Sequence, residues 1–185
     1  MRVFYRIGQF WEALTAFPAP EELARARQVL SPPLMELFLG LRMEDQAHSL
    51  KVFQRLCELG YLDADLLAAA LLHDVGKSRY RLHLWERILI VLGKAFFPSK
   101  VKSWGQSQLR GWRRPFVIAE QHPHWGAEMA IQAGASSFTA SLIRRHQDVL
   151  EPPNGKQSSV NLSDPKQVIL EDAFLRSLQQ LDDES

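Results

Sequence analysis

The sequence predicts an all-α domain, and three observations predict it. Almost every segment repeats its apolar residues with helical period, and none alternates convincingly like a strand. Prolines fall at the starts of the periodic segments and glycines at their ends. The chain of 185 residues is 46% hydrophobic and 23% charged, a globular composition long enough to bury one substantial core.

Helices are expected at 5–16, 20–30, 33–40, 44–60, 63–76, 83–97, 100–110, 114–120, 123–134, 137–149 and 165–183. The first rests on periodicity alone. The second opens in "FPAPEEL", where Pro20 suits the first turn and two acids follow it; "LSPPLMEL" does the same around Pro33. The segments 44–60 and 123–134 close on Gly60 and Gly134 as C-terminal caps. From Asp65 to Leu72 the helix is apolar all the way round, which marks a central, fully buried element. The last helix begins in "SDPKQVILEDAFL", with Asp164 as N-cap and Pro165 as first helical residue. One stretch reads as a loop, Glu151 to Leu162, rich in Pro, Gly, Asn and Ser. No internal repeat interrupts the order. Residues 1–42 read as N-terminal helices packing on a core domain at 43–185.

Net charge is +1, from 22 basic and 21 acidic residues, so overall charge favours no partner. Its distribution is uneven. Between Arg79 and Arg114 lie nine basic residues against Glu86 alone, together with Trp85, Trp104 and Trp112. Solvated helical faces with aromatic anchors account for this segment. So do a phosphate-attracting rim, a nucleic-acid surface or a membrane-surface helix around "LWERILIVLGKAFF". A single cysteine, Cys57, excludes an internal disulfide. The start of the chain has no signal-peptide pattern, and "ILIVLG" is far short of the roughly 20 residues of a spanning helix. A reducing, cytoplasmic setting is therefore expected.

Several ionisable residues point inward. His73 and Asp74 end the buried apolar helix, where a carboxylate is costly unless paired or bound to a metal. His48 shares a stripe with Val52, Leu56 and Leu59. His146 lies four after Leu142 and three after Ile143, and Asp182 follows Leu175 and Leu178 in the last helix. His122 precedes Pro123 at the mouth of "PHWGAEMAIQAG". A lone histidine on an apolar face is more often a hydrogen-bonded core residue than a ligand. The set is different: imidazoles and carboxylates on several helices suit a first-row divalent metal such as Fe, Mn, Zn, Ni or Co, held at the centre of a helical domain.

"AAALLHDVGK", with a histidine about 25 residues upstream and an aspartate far downstream, resembles the HD superfamily of metal-dependent phosphohydrolases. The resemblance runs from about Met43 to Asp182. It implies an HD-domain helical bundle, interrupted at 79–114 by a basic, tryptophan-containing insertion. It implies His48, His73, Asp74 and Asp182 as ligands of a first metal. "HPHWGA" is similar to the H-x-x-x-G-A segment of the dinuclear branches and assigns His122 to a second metal, with His124 only a neighbour. "IRRHQD" assigns His146 likewise, with Asp74 bridging. Helical phase and the "LQQLD" ending favour Asp182 over Asp183. No GYP motif stands near His146, so cyclic-di-GMP hydrolysis of that branch is not implied. The 79–114 insertion exceeds that of the compact dinucleoside-tetraphosphate hydrolases.

The expected activity is cleavage of a phosphomonoester or phosphodiester of a nucleotide by metal-activated hydroxide, with one or two divalent ions (Fe, Mn, Zn, Ni, Co or Mg). Asp74 and Lys77 are the expected catalytic residues. Lys77, Arg144 and Arg145 are expected at the substrate phosphate, although Lys77 also suits a helix C-terminus and the arginines also suit solvent. Gly76 is expected to let the chain turn sharply after the ligands. Two other classes compete: a non-catalytic nucleotide-binding HD domain, and a phosphodiesterase acting on RNA or single-stranded DNA through the basic segment.

Overall fold

The central helix is the one that the sequence marks as apolar on every side. In a computed structural model, which describes residues 17–150 and 165–184, it spans Ala64–Leu72 and buries Leu66 through Leu72 without a gap. Asp63 caps it by accepting from the Leu66 N–H at 3.0 Å. Five further helices pack around it.

In chain order the α-helices are α1 Pro20–Val29, α2 Pro32–Leu39, α3 Met43–Glu58, α4 Ala64–Leu72 and α5 Leu84–Phe96. They continue with α6 Pro98–Gly105, α7 Arg114–Gln132, α8 Ser137–Arg145 and α9 Pro165–Glu184. Short 3-10 helices occupy Val75–Arg79 and Gly111–Arg113, and no strand is present among the described residues. Helices α1, α2, α3, α8 and α9 touch α4. Ala26, Phe38, Leu56, Leu142 and Leu178 converge with the α4 side chains in one buried cluster. Burying each such large aliphatic or aromatic side chain contributes about 1.5–3 kcal/mol. The all-α expectation holds. The expected helix at 5–16, the loop Glu151–Leu162 and the Asp164 cap lie outside the described residues.

Gly60 and Gly134 adopt positive φ (85° and 90°) just past α3 and α7, as the C-cap expectation requires. Four expected boundaries change, among them the helix expected over 100–110, which spans Pro98–Gly105. The helix expected over 63–76 ends at Leu72, with His73 as its C-cap, and the chain tightens into the 3-10 turn. The segment expected over 137–149 ends at Arg145, with His146 as its C-cap. The helices expected at 114–120 and 123–134 are one element, α7, which runs through Pro123. A proline here leaves the Ala119 carbonyl without its usual backbone donor. The ring Nδ1 of His122 takes that role at 3.0 Å.

Gly76 serves a purpose other than a sharp turn: its φ is not positive. It lies against the backbone of α7, where an added Cβ would stand 2.0 Å from the His122 carbonyl oxygen and 2.7 Å from the Gly126 nitrogen. Only a residue without a side chain lets the 3-10 turn approach α7 this closely.

Candidate metal centre

Five structural elements deliver the inward polar residues to one place. His48 comes from α3, His73 and Asp74 from the end of α4, His122 from α7, His146 from the end of α8 and Asp182 from α9. His73, Asp74, His122 and His146 are buried; His48 and Asp182 are about a quarter exposed. Imidazole centroids stand 5.4 Å apart for His48–His73, 5.1 Å for His73–His146 and 5.3 Å for His122–His146.

The three buried imidazoles share one local solution. His73 donates Nδ1–H to the Ala70 carbonyl at 2.9 Å, His122 to Ala119 at 3.0 Å and His146 to Ile143 at 2.7 Å. A carbonyl can only accept, so each bond places the proton on Nδ1. Each Nε2 is then the inward-facing ring position, buried and without a well-formed hydrogen bond. Buried polar atoms are normally satisfied. Ring nitrogens oriented by a carbonyl and left bare at Nε2 are the arrangement that metal-binding histidines adopt.

Asp74 joins two groups of candidate donors. Its Oδ1 lies 3.1 Å from His122 Nε2, and its Oδ2 lies 3.5 Å from His73 Nε2 and 2.5 Å from Lys77 Nζ. His48, His73 and Asp74 form one set of converging donor atoms; Asp74, His122 and His146 form another. Asp182 Oδ1 completes the first side, 2.7 Å from His48 Nε2 and 3.3 Å from His73 Nε2. Imidazole nitrogens with shared carboxylates fit first-row divalent ions. Asp183 has its side chain outside the described residues.

Electrostatics follow from these distances. Burial opposes charge on Asp74, yet the Lys77 ammonium and His73 hold its carboxyl well below the usual range. Asp182 is likewise lowered, burial being outweighed by His73 and His48. Burial disfavours the His73 cation, but Asp74 and Asp182 push its pKa up to about 9. Burial pushes His146 down to about 3, with His73 and His122 adding to the effect, and it lowers His122.

Residues 46–176 match the HD domain family. The chain belongs to that family. The matched stretch contains His48, His73, Asp74, His122 and His146 and ends before Asp182. No curated protein and no solved structure matches the chain. HD domains typically bind divalent metals and are in general metal-dependent hydrolases, and the helical bundle described above agrees with an HD domain.

Beside the centre of this HD domain lies a cleft of about 210 Å³. Its wall includes Asp45, Lys77, Arg81, Arg87, Lys94 and His122. Arg87 is neutralised by Glu44 at 3.0 Å and Asp45 at 3.2 Å. Lys94 and Arg81 form no ion pair among the described residues. The Lys94 pKa is lowered by its partial enclosure and by the nearby Lys77 ammonium. Sequence reasoning did not single out Lys94; its signal was the basic excess of 79–114, read there as a phosphate-attracting rim.

Arg144 and Arg145 do not line the cleft. Arg144 is exposed. Arg145 instead ties α8 to α9, bonding Glu171 at 2.8 Å and Asp172 at 2.9 Å. Glu171 is fully buried, and Ser141 also donates to it, so Arg145 neutralises a charge that would otherwise stand alone in the core.

Proposed function

We propose that this HD domain is a metal-dependent hydrolase of phosphate esters whose substrate is a nucleotide, cleaved at a phosphomonoester or phosphodiester bond. The observation that carries the reading is the triplet of buried, inward-facing Nε2 atoms of His73, His122 and His146 around Asp74. A divalent cation bound there supplies Lewis-acid charge for the phosphoryl oxygens and lowers the pKa of a water.

The chain's own contributions are orientation and charge. Backbone carbonyls hold the Nδ1–H of the three imidazoles and so turn each Nε2 towards the centre. Asp74 turns one oxygen towards His122 and the other towards His73, which favours its serving two ligand sets at once. Lys77 holds Asp74 ionised and carries its ammonium to the cleft wall. Lys94 and Arg81 add positive charge on the same wall, where a phosphoryl group developing negative charge is stabilised.

Retention of the whole donor set favours catalysis over nucleotide sensing alone. The tryptophans weigh against a nucleic-acid substrate. Trp104 packs on Trp112 and Phe116 with centroids 5.1 and 5.0 Å away, and none of Trp85, Trp104 and Trp112 lines the cleft. Elemental analysis should find about two first-row metals per chain; one would leave His122 and His146 outside the coordination. A metal-supplemented screen against nucleotides, dinucleoside polyphosphates, cyclic dinucleotides and short RNA identifies the substrate. Asp74→Ala should abolish both metal and turnover, and activity persisting in that variant refutes the assignment.

A further inference from the structure

Helix α5 has three faces with different surroundings. Glu86 and Gly93 are buried towards α7, where Arg114 pairs with Glu86 and Phe116 packs on Gly93. Arg87, Ile90, Val91 and Lys94 line the cleft. The third face carries Trp85, Ile88, Leu92 and Phe96 at helical spacing, exposed by 57%, 41%, 43% and 65%. Leu84, Phe97 and Trp112 are exposed as well. An outward face of this composition is the reverse of what a solvated helix presents.

Cations lie on the segment that follows α5. Lys100, Lys102, Arg110 and Arg113 are all exposed, and none forms an ion pair among the described residues. Helix α6, which carries both lysines, packs against α5, and Phe97 meets Trp104, which in turn meets Trp112. Arg113 lies over the Trp112 ring, 5.1 Å from its centroid. Glu86, the sole acid between Arg79 and Arg114, is buried and bound to Arg114, so the segment presents no acidic side chain to solvent.

We propose that the outward face of α5, with the cations of α6 and residues 110–113, docks on an anionic lipid bilayer. Interfacial binding of this kind adds the burial of an aromatic and aliphatic stripe to the attraction of basic residues for anionic headgroups. Aromatic rings at the two ends of the stripe suit the headgroup level, while Ile88 and Leu92 between them suit the acyl boundary. Other occupants fit less well. A nucleic acid offers phosphates to the cations but nothing to the aliphatic side chains. A second copy across a two-fold axis brings the same four cations towards one another. Residues 1–16 carry Arg2, Arg6 and Glu12, so they add positive charge where negative charge is needed. Docking leaves the cleft clear, because its wall uses the opposite side of α5. The proposal therefore does not rest on the hydrolase reading.

The test is co-sedimentation of the full chain with vesicles of phosphatidylcholine alone or mixed with phosphatidylglycerol. Binding should require the anionic lipid and weaken as salt rises. Lys100→Glu with Lys102→Glu should lower affinity at least roughly fivefold for each cation reversed. Ile88→Glu with Leu92→Glu should abolish binding while thermal unfolding and metal content stay as in the parent. Absence of binding, or equal binding to both vesicles, overturns the proposal. So does a dimer that Leu92→Glu dissociates, or capture of short RNA that depends on these residues while vesicles are ignored.

Discussion

His73, His122 and His146 each donate Nδ1–H to the carbonyl three residues earlier, by three local routes. His73 and His146 meet carbonyls freed where α4 and α8 end, and His122 meets one freed by Pro123. Their charge states nevertheless differ. With His73 pushed up to about 9, it holds a proton at pH 7, whereas His146, near 3, is neutral and His122 is lowered. A proton on His73 competes with a cation for Nε2. Metal binding at pH 7 should therefore release about one proton from this group, and affinity should rise roughly tenfold per pH unit until about pH 9. Calorimetry in buffers of different ionisation enthalpy counts that proton; its absence would mean that His73 is already neutral in the metal-free protein. Much of this residue-scale picture was legible in sequence, because helical phase places His48, His146 and Asp182 on apolar stripes. The tautomers were not, since they depend on where each helix stops.

At the scale of elements, Gly76 and Arg145 show what one-dimensional patterns miss. Gly76 sits in the string that marks the family, yet its requirement is the backbone of α7, 46 residues on at His122. Gly76→Ala should cost about 2–4 kcal/mol, because the neighbouring atoms are backbone and cannot turn aside. Metal affinity should fall with it, as His122 and Asp74 are pushed apart; chemical denaturation and metal titration of the same variant check both. Arg145 sits beside the candidate ligand His146 and was expected at the substrate. Its guanidinium lies instead between Glu171 and Asp172. Arg145→Ala should destabilise by about 3 kcal/mol by leaving Glu171 buried and unpaired. Arg144→Ala should stay within about 0.5 kcal/mol. Substituting Arg145→Met and Glu171→Leu together should recover most of the loss, which a role at the substrate would not predict.

At the scale of the whole molecule, the candidate centre joins α3, α4, α7, α8 and α9, so a cation there crosslinks the bundle. Saturating metal at 100-fold above Kd should stabilise the fold by about 2.7 kcal/mol for one site. A chelator should lower Tm correspondingly, and Asp74→Ala should remove that response; thermal scans with and without metal measure it. No helix among the described residues is long and apolar enough to cross a membrane, and the apolar surface of α5 lies on the opposite side from the cleft wall.

By itself the sequence determined the helical class, the buried α4 with His73 and Asp74 at its end, and the faces on which the other candidate ligands lie. These depend on residue type and spacing within one helix, where the backbone sets the geometry. Only the tertiary structure decided that α7 continues through Pro123, that Arg145 serves α9, that Lys94 faces the cleft, and that Asp74 stands between two sets of donors. Periodicity tells which way a side chain points within its own helix. What it meets there is set by the packing of helices distant in sequence, and metal chemistry depends on those distances.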